Sequence, residues 1–328
     1  MVQKGPIIGM ALGSGSARGW AHIGVLKALR EAGIVPHVIA GTSAGALVGA
    51  AYAAGWIDEL EKWVCELDAG DVRSWFDVSL GAGGLLQGRR LISFFKQSIG
   101  AQNIEDLPMP FGAVATDMAS GREIWLRSGD LMNSVRASIS LPGIFTPVEY
   151  EGRWLLDGGL VNPIPVSLCR AMGADYVIAV NLNNDIVGRR VNPKPVKAPS
   201  PPRVPETQLG REFNKLVSRV SDWFGTNELD RPEKPEKIKV DKPSMLDVMS
   251  SSISIMQDRI TKSRMAGDPP DVMISPRLAH FGLMEFERGR EAIEEGQAAV
   301  EPVLPSIKRW LNPADTPPAN ANGNGGTA

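Results

Sequence analysis

Ser43 stands in the pentapeptide Gly41-Thr42-Ser43-Ala44-Gly45, and Asp157-Gly158-Gly159 follows far downstream. Ahead of both lies Gly13-Ser14-Gly15-Ser16-Ala17-Arg18-Gly19. These residue types supply a hydroxyl nucleophile, a carboxylate able to take its proton, and a run of backbone amides able to cradle an anion. Only three histidines occur in 328 residues, His22, His37 and His280. The chemistry suggested is acyl transfer by a serine that needs no imidazole.

Each motif requires a particular local setting. A catalytic serine gains reach on a sharp strand-to-helix turn whose small neighbours, here Gly41 and Gly45, avoid backbone clashes. Residues 38–40 read as a short β-branched strand and 44–55, rich in Ala and Leu, as a helix. The glycine loop likewise links a strand candidate at 7–12 to a helix at 20–32. Free N–H groups at that helix start would attract negative charge. Gly13 and Gly15 let the backbone turn its amides toward a ligand. A dinucleotide fingerprint fits less well. Gly13, Gly15 and Gly19 are spaced G-x-G-x-x-x-G, and no acidic residue closes the strand at 37–40. An oxyanion hole built from Gly13, Ser14, Gly15 and Ser16 is therefore expected.

Histidine bears on the class of hydrolase. Ser43, Asp157 and His280 follow the chain order of an α/β-hydrolase triad, but only two strand candidates precede Ser43. His280 lies in a loop-like stretch, His22 on the first helix, and His37 at a strand start. A Ser43–Asp157 dyad needs none of them, provided burial raises the basicity of the carboxylate.

The ordered set of blocks resembles the patatin-like phospholipases, in particular a compact bacterial branch. Beside the three motifs, matching segments are Ala115-Thr116-Asp117, Val135-Arg136-Ala137-Ser138, Leu141-Pro142-Gly143-Ile144-Phe145 and Val161-Asn162-Pro163-Ile164-Pro165. The resemblance runs over 5–183 and resumes over 244–311. It implies a three-layer α/β/α fold with a mainly parallel sheet, and hydrolysis of acyl lipids with Ser43 as nucleophile and Asp157 as proton acceptor. It also implies an oxyanion hole at residues 13–16, with Gly41, Gly45, Gly158 and Gly159 in support. Ser14 and Ser16 stand where glycine is commoner in the family. Arg18 either reaches across the site or anchors the loop elsewhere. Two other readings stay beside the dyad, a Ser-Asp-His esterase and a catalytically silent patatin-like interaction protein.

Composition sets the remaining bounds. A chain with 43% hydrophobic residues can bury a large core. A net charge of −2 argues against nucleic acid as a partner. The two cysteines make no disulfide framework, and no His/Cys/Asp cluster has metal-ligand spacing, so no cofactor is expected. The chain shows no leader or membrane-span pattern, which gives a cytoplasmic expectation.

Strands at 111–115, 123–126 and 176–182 and helices at 56–67, 89–99 and 165–171 continue the alternation of a largely parallel sheet. From 183 to 205 prolines and basic residues break it, and 209–224 carries an amphipathic helical stripe. That stripe reads either as a helix packed on the core or as an interfacial one. Residues 184–243 are thus expected as an insertion, with peripheral contact at the inner membrane surface through 184–224. Met245, Met249, Ile253, Met256 and Ile260 form a second stripe, expected in the core or at a subunit contact. Residues 312–328 read as a disordered tail.

Overall fold

Short β-branched and alanine-rich runs make the central strands, and alanine- and leucine-rich stretches between them make the helices that flank the site. The computed structural model describes residues 5–74, 84–86, 88–100, 102–185 and 245–311. In chain order the first half comprises β1 (Ile8–Leu12), α1 (Ala21–Glu31), β2 (Val38–Thr42), α2 (Ala44–Ala53), α3 (Ile57–Glu66), α4 (Ala69–Ser74), β3 (Gly84–Leu86), α5 (Arg89–Ile99), β4 (Phe111–Asp117) and β5 (Glu123–Leu126). There follow α6 (Leu131–Ser138), β6 (Gly143–Phe145), β7 (Val148–Tyr150), β8 (Arg153–Asp157), α7 (Val166–Ala171), β9 (Tyr176–Val180), α8 (Met245–Gly267), β10 (Val272–Ile274), α9 (Gly289–Ala298) and α10 (Leu304–Leu311).

The main sheet runs β10-β9-β1-β2-β4-β8-β7, with β5 also paired to β4. From β10 to β4 every pairing is parallel. Such strands are buried on both faces, and alternation along them assigns each side chain to one of two cores. Met10, Leu12, Ile39, Ile178 and Val180 face the larger core, which α1 and α2 cover. Ala11, Val38, Ala40, Val177 and Ala179 face a smaller one with Leu168 and Cys169 of α7. Small residues on that second face let α7 approach closely; a side chain at Gly9 would meet Ala174 and Cys169. The layers are therefore helix, sheet, helix, the three-layer order that the resemblance implies.

The register of β4 positions the chemistry. One of its edges is taken by antiparallel β5, from Ala113↔Leu126 to Thr116↔Glu123. The other edge is shared. Parallel β2 occupies the first part and ends at Thr42↔Val114, and antiparallel β8 takes over at Ala115↔Asp157. Thr42 and Asp157 thus oppose successive residues of a single strand. Ser43, one step beyond Thr42, must emerge beside the carboxylate.

Several boundaries differ from those the sequence suggests. The strand at 111–115 runs on to Asp117, and the one at 176–182 stops at Val180. The first helix begins at Ala21, after a short 3-10 turn over Ser16–Trp20. β8, which ends in Asp157, is not anticipated, because Arg153 and Trp154 are exposed and dilute its apolar signal. The methionine stripe of α8 is split by the fold. Ile253 is buried and Met249 half-buried, but Met256 is exposed. Beside Ile253, the buried face of that helix also carries Ser254, Gln257, Asp258 and Thr261 at helical spacing. The expected amphipathic stripe at 209–224, most of the 184–243 insertion and the tail from 312 lie outside the described residues.

Candidate active site

Ser43 has φ 57° and ψ −121°, a conformation costly for a side-chain-bearing residue, about 1–3 kcal/mol. Close packing enforces it. A side chain at Gly45 would collide with the carbonyl oxygen of Leu12, and one at Gly41 with Gly45 and Ala46. The turn therefore lifts Ser43 off the end of β2 and starts α2 immediately after it. Its N–H cannot continue the ladder and donates to Ser138 Oγ at 2.9 Å. That hydroxyl in turn donates to the carbonyl of Val114 at 2.6 Å. Ser138 is the buried pin of the turn, and the sequence marks it only as part of the block at 135–138. Ser138→Ala leaves the Ser43 N–H without its acceptor, and an expected loss of about 1–3 kcal/mol of stability would appear in chemical denaturation.

Asp157 is fully buried. Its Oδ2 accepts the Ser43 hydroxyl at 2.6 Å, and its Oδ1 accepts the N–H of Gly159 at 2.7 Å. Burial pushes its carboxyl up to about 6, although the bonds from Ser43 and Gly159 pull the other way. Gly158 has no room for a side chain, since one would meet the Val114 carbonyl. The turn that aims the carboxylate therefore lies directly on β4.

The glycine loop divides in two. The N–H of Gly13 donates to Val180 at 3.1 Å and that of Ser14 to Pro163 at 2.9 Å, so the fold consumes both. Among the described residues, no acceptor faces the N–H groups of Gly15 and Ser16. Gly15 has an extended φ of 175°, and its constraint is space; a side chain there would come within 2.6 Å of Leu182 Cδ1. Ser16 sits at φ 49°. Ser14 donates its hydroxyl to Gln257 Oε1 at 3.1 Å.

Arg18 does not reach across the site. It anchors the loop, donating through Nη1 to Asn183 Oδ1 at 3.0 Å and through Nε to the carbonyl of Phe281 at 3.3 Å. Burial lowers its guanidinium to about 10, with Asp185 and Glu285 opposing that fall, so it stays charged near neutrality.

The histidines lie elsewhere. His22 is buried, its Nε2 2.8 Å from the Gly13 carbonyl, and desolvation lowers it to about 4, leaving a neutral ring that braces the loop from behind. His37 accepts the N–H of Ile8. His280 is exposed and pairs through Nε2 with Glu291 at 3.1 Å.

Ser43, Ala44 and Ser16 line a crevice of about 510 Å³, counting the part open to solvent. Its walls are otherwise apolar, with Leu47, Ile139, Leu141, Ile144 and Phe145 among them. Such a lining presents an apolar surface directly beside the Ser43 hydroxyl.

Comparison with known proteins agrees with this architecture. The patatin-like phospholipase family profile matches residues 10–170. An NTE family protein of Mycobacterium tuberculosis is 32% identical over 333 residues, covering 92% of either chain. Neuropathy target esterase sws of Drosophila melanogaster is 32% identical over 232 residues, covering 61% of this chain and 16% of that protein. Lysophospholipase NTE1 of Pyricularia oryzae is 28% identical over 300 residues, covering 89% and 18% respectively.

Proposed function

The chain belongs to the patatin-like phospholipase family, among the NTE family proteins, and from that membership we propose that it is a serine acyl-ester hydrolase acting on phospholipids or lysophospholipids through a Ser43–Asp157 dyad. The observation that carries this reading is the bond of 2.6 Å from Ser43 Oγ to a carboxylate with no solvent access. The apolar crevice beside Ser43 and the lysophospholipase name of the fungal relative support an acyl-chain substrate.

In this mechanism Asp157 takes the Ser43 proton as Oγ attacks the ester carbonyl. The N–H groups of Gly15 and Ser16 hold the oxyanion, joined by the N–H of Ala44 at the start of α2, where the helix dipole also favours negative charge. Collapse of the tetrahedral intermediate expels the alcohol, which leaves with the proton from Asp157. Asp157 then deprotonates a water that attacks the acyl-serine, and the proton passes back to Ser43 as the fatty acid departs.

The test is release of fatty acid from a lysophospholipid, and of p-nitrophenol from p-nitrophenyl butyrate, across a range of pH. Asp157 works as a base only when ionised and burial places its carboxyl at about 6. The value of kcat/KM should therefore be level above that pH and fall roughly tenfold per unit well below it. Absence of turnover of both esters at pH 8 by folded protein would overturn the assignment. A profile with no acid limb would remove Asp157 as the base.

A further inference from the structure

The polar face of α8 has no role in the mechanism above, yet it is buried against both halves of the site. Gln257 Oε1 accepts the Ser14 hydroxyl at 3.1 Å and Asn183 Nδ2 at 3.2 Å. Asn183 Nδ2 also lies 3.3 Å from the Ser14 carbonyl, and Asn183 Oδ1 receives Arg18. On the other side, the Gln257 amide nitrogen packs directly on Gly159; any side chain at that glycine would collide with it. The Gly159 N–H is the group that orients Asp157 Oδ1. One buried carboxamide thus touches the glycine loop immediately before Gly15 and the turn that holds the base.

A glutamine buried in this way must have its hydrogen-bonding groups satisfied, so its presence is costly unless the partners are fixed. Oε1 meets that demand with two donors, and both belong to, or bind, the loop. Ser14 then has a reason to be serine in a motif where glycine is commoner, because its hydroxyl supplies one of the two. We propose that Gln257 and Asn183 are positioning residues that set the height of the Gly15 and Ser16 amides relative to Ser43 and Asp157, with Ser14 as the attachment point. The inference rests on the proposed hydrolase reading. It assigns to α8 a part in oxyanion stabilisation without contact with substrate.

The test uses the full chain, with p-nitrophenyl butyrate at pH 8 as substrate and thermal unfolding as the control. Gln257→Met keeps the volume and removes both acceptor and donor. Ser14→Gly removes the hydroxyl from the other side with no demand on the core. Each should lower kcat by roughly tenfold, short of the hundredfold or more for losing an oxyanion donor outright, because the amides are displaced rather than deleted. KM should stay within about twofold, since the crevice walls are untouched. The double variant should lose no more than the worse single one, the signature of residues acting through a shared contact. An unchanged kcat in Ser14→Gly would overturn the proposal, even if Gln257→Met failed to fold. So would multiplicative losses in the double variant, or a rise in KM matching the fall in kcat. Inactivity of the unmodified protein would instead count against the hydrolase reading itself.

Discussion

Ser43→Ala and Asp157→Asn should each reduce ester turnover by on the order of a thousandfold or more, because nucleophile and base act as one unit and the loss of either stops the same step. His280→Ala should retain nearly full activity, since that ring lies on the surface against Glu291. The Asp157 variant should also keep its fold. A carboxyl pushed up to about 6 from the usual 3.8 binds its proton more tightly in the folded chain than in the unfolded one. The stability it contributes is therefore fully present below about pH 4 and is lost as pH rises through about 6. At pH 8 the native protein thus holds a buried charge that a neutral carboxamide at this position would not carry. Asp157→Asn should unfold at no lower temperature than the wild type at pH 8. Kinetics with the generic ester and thermal melts on the three variants decide the matter. Equal damage from His280→Ala and Ser43→Ala, with both folded, would sink the dyad and restore the triad.

Gly45→Ala should disable the enzyme almost as thoroughly by a different route. The added methyl would be driven into the carbonyl oxygens of Leu12 and Gly13, which belong to the backbone and cannot rotate away. Overpacking of this kind costs about 1–3 kcal/mol and more where main chain must move. The start of α2 has to back off β1, carrying Ser43 and the Ala44 amide with it. Displacing a nucleophile by about 1 Å is worth on the order of a hundredfold in rate. The expected result is a lower denaturation midpoint together with a fall in kcat of that size or greater. A variant with wild-type kcat would show that the elbow tolerates a side chain at 45 and that the clash is relieved without moving Ser43.

Much of this architecture is legible in the sequence because it depends on local rules. The small residues around Ser43, the apolar run before it and the alanine-rich run after it specify a strand, a sharp turn and a helix within about twenty residues, and β2 and α2 follow. The glycines at 13 and 15 similarly mark the end of β1. The order of blocks along the chain identified the family.

What the residues could not disclose alone is which groups these local pieces meet. β8 escapes notice because two of its five side chains face solvent, yet it carries Asp157. Its position is set by β4, whose one edge accepts β2 and β8 end to end. In the glycine loop all the amides look alike in sequence. Pairing with Val180 and Pro163 consumes those of Gly13 and Ser14 and leaves Gly15 and Ser16. Arg18 is ambiguous until Asn183 and Phe281 are brought to it. The stripe of methionines on α8 suggests one buried face, and the fold buries part of it at Ile253 together with the adjacent polar face, where Ser14 and Asn183 supply partners for Gln257. Secondary structure here follows from neighbours along the chain. The state of each polar group, spent or available, charged or neutral, depends on atoms that only the folded chain places within about 3 Å of it.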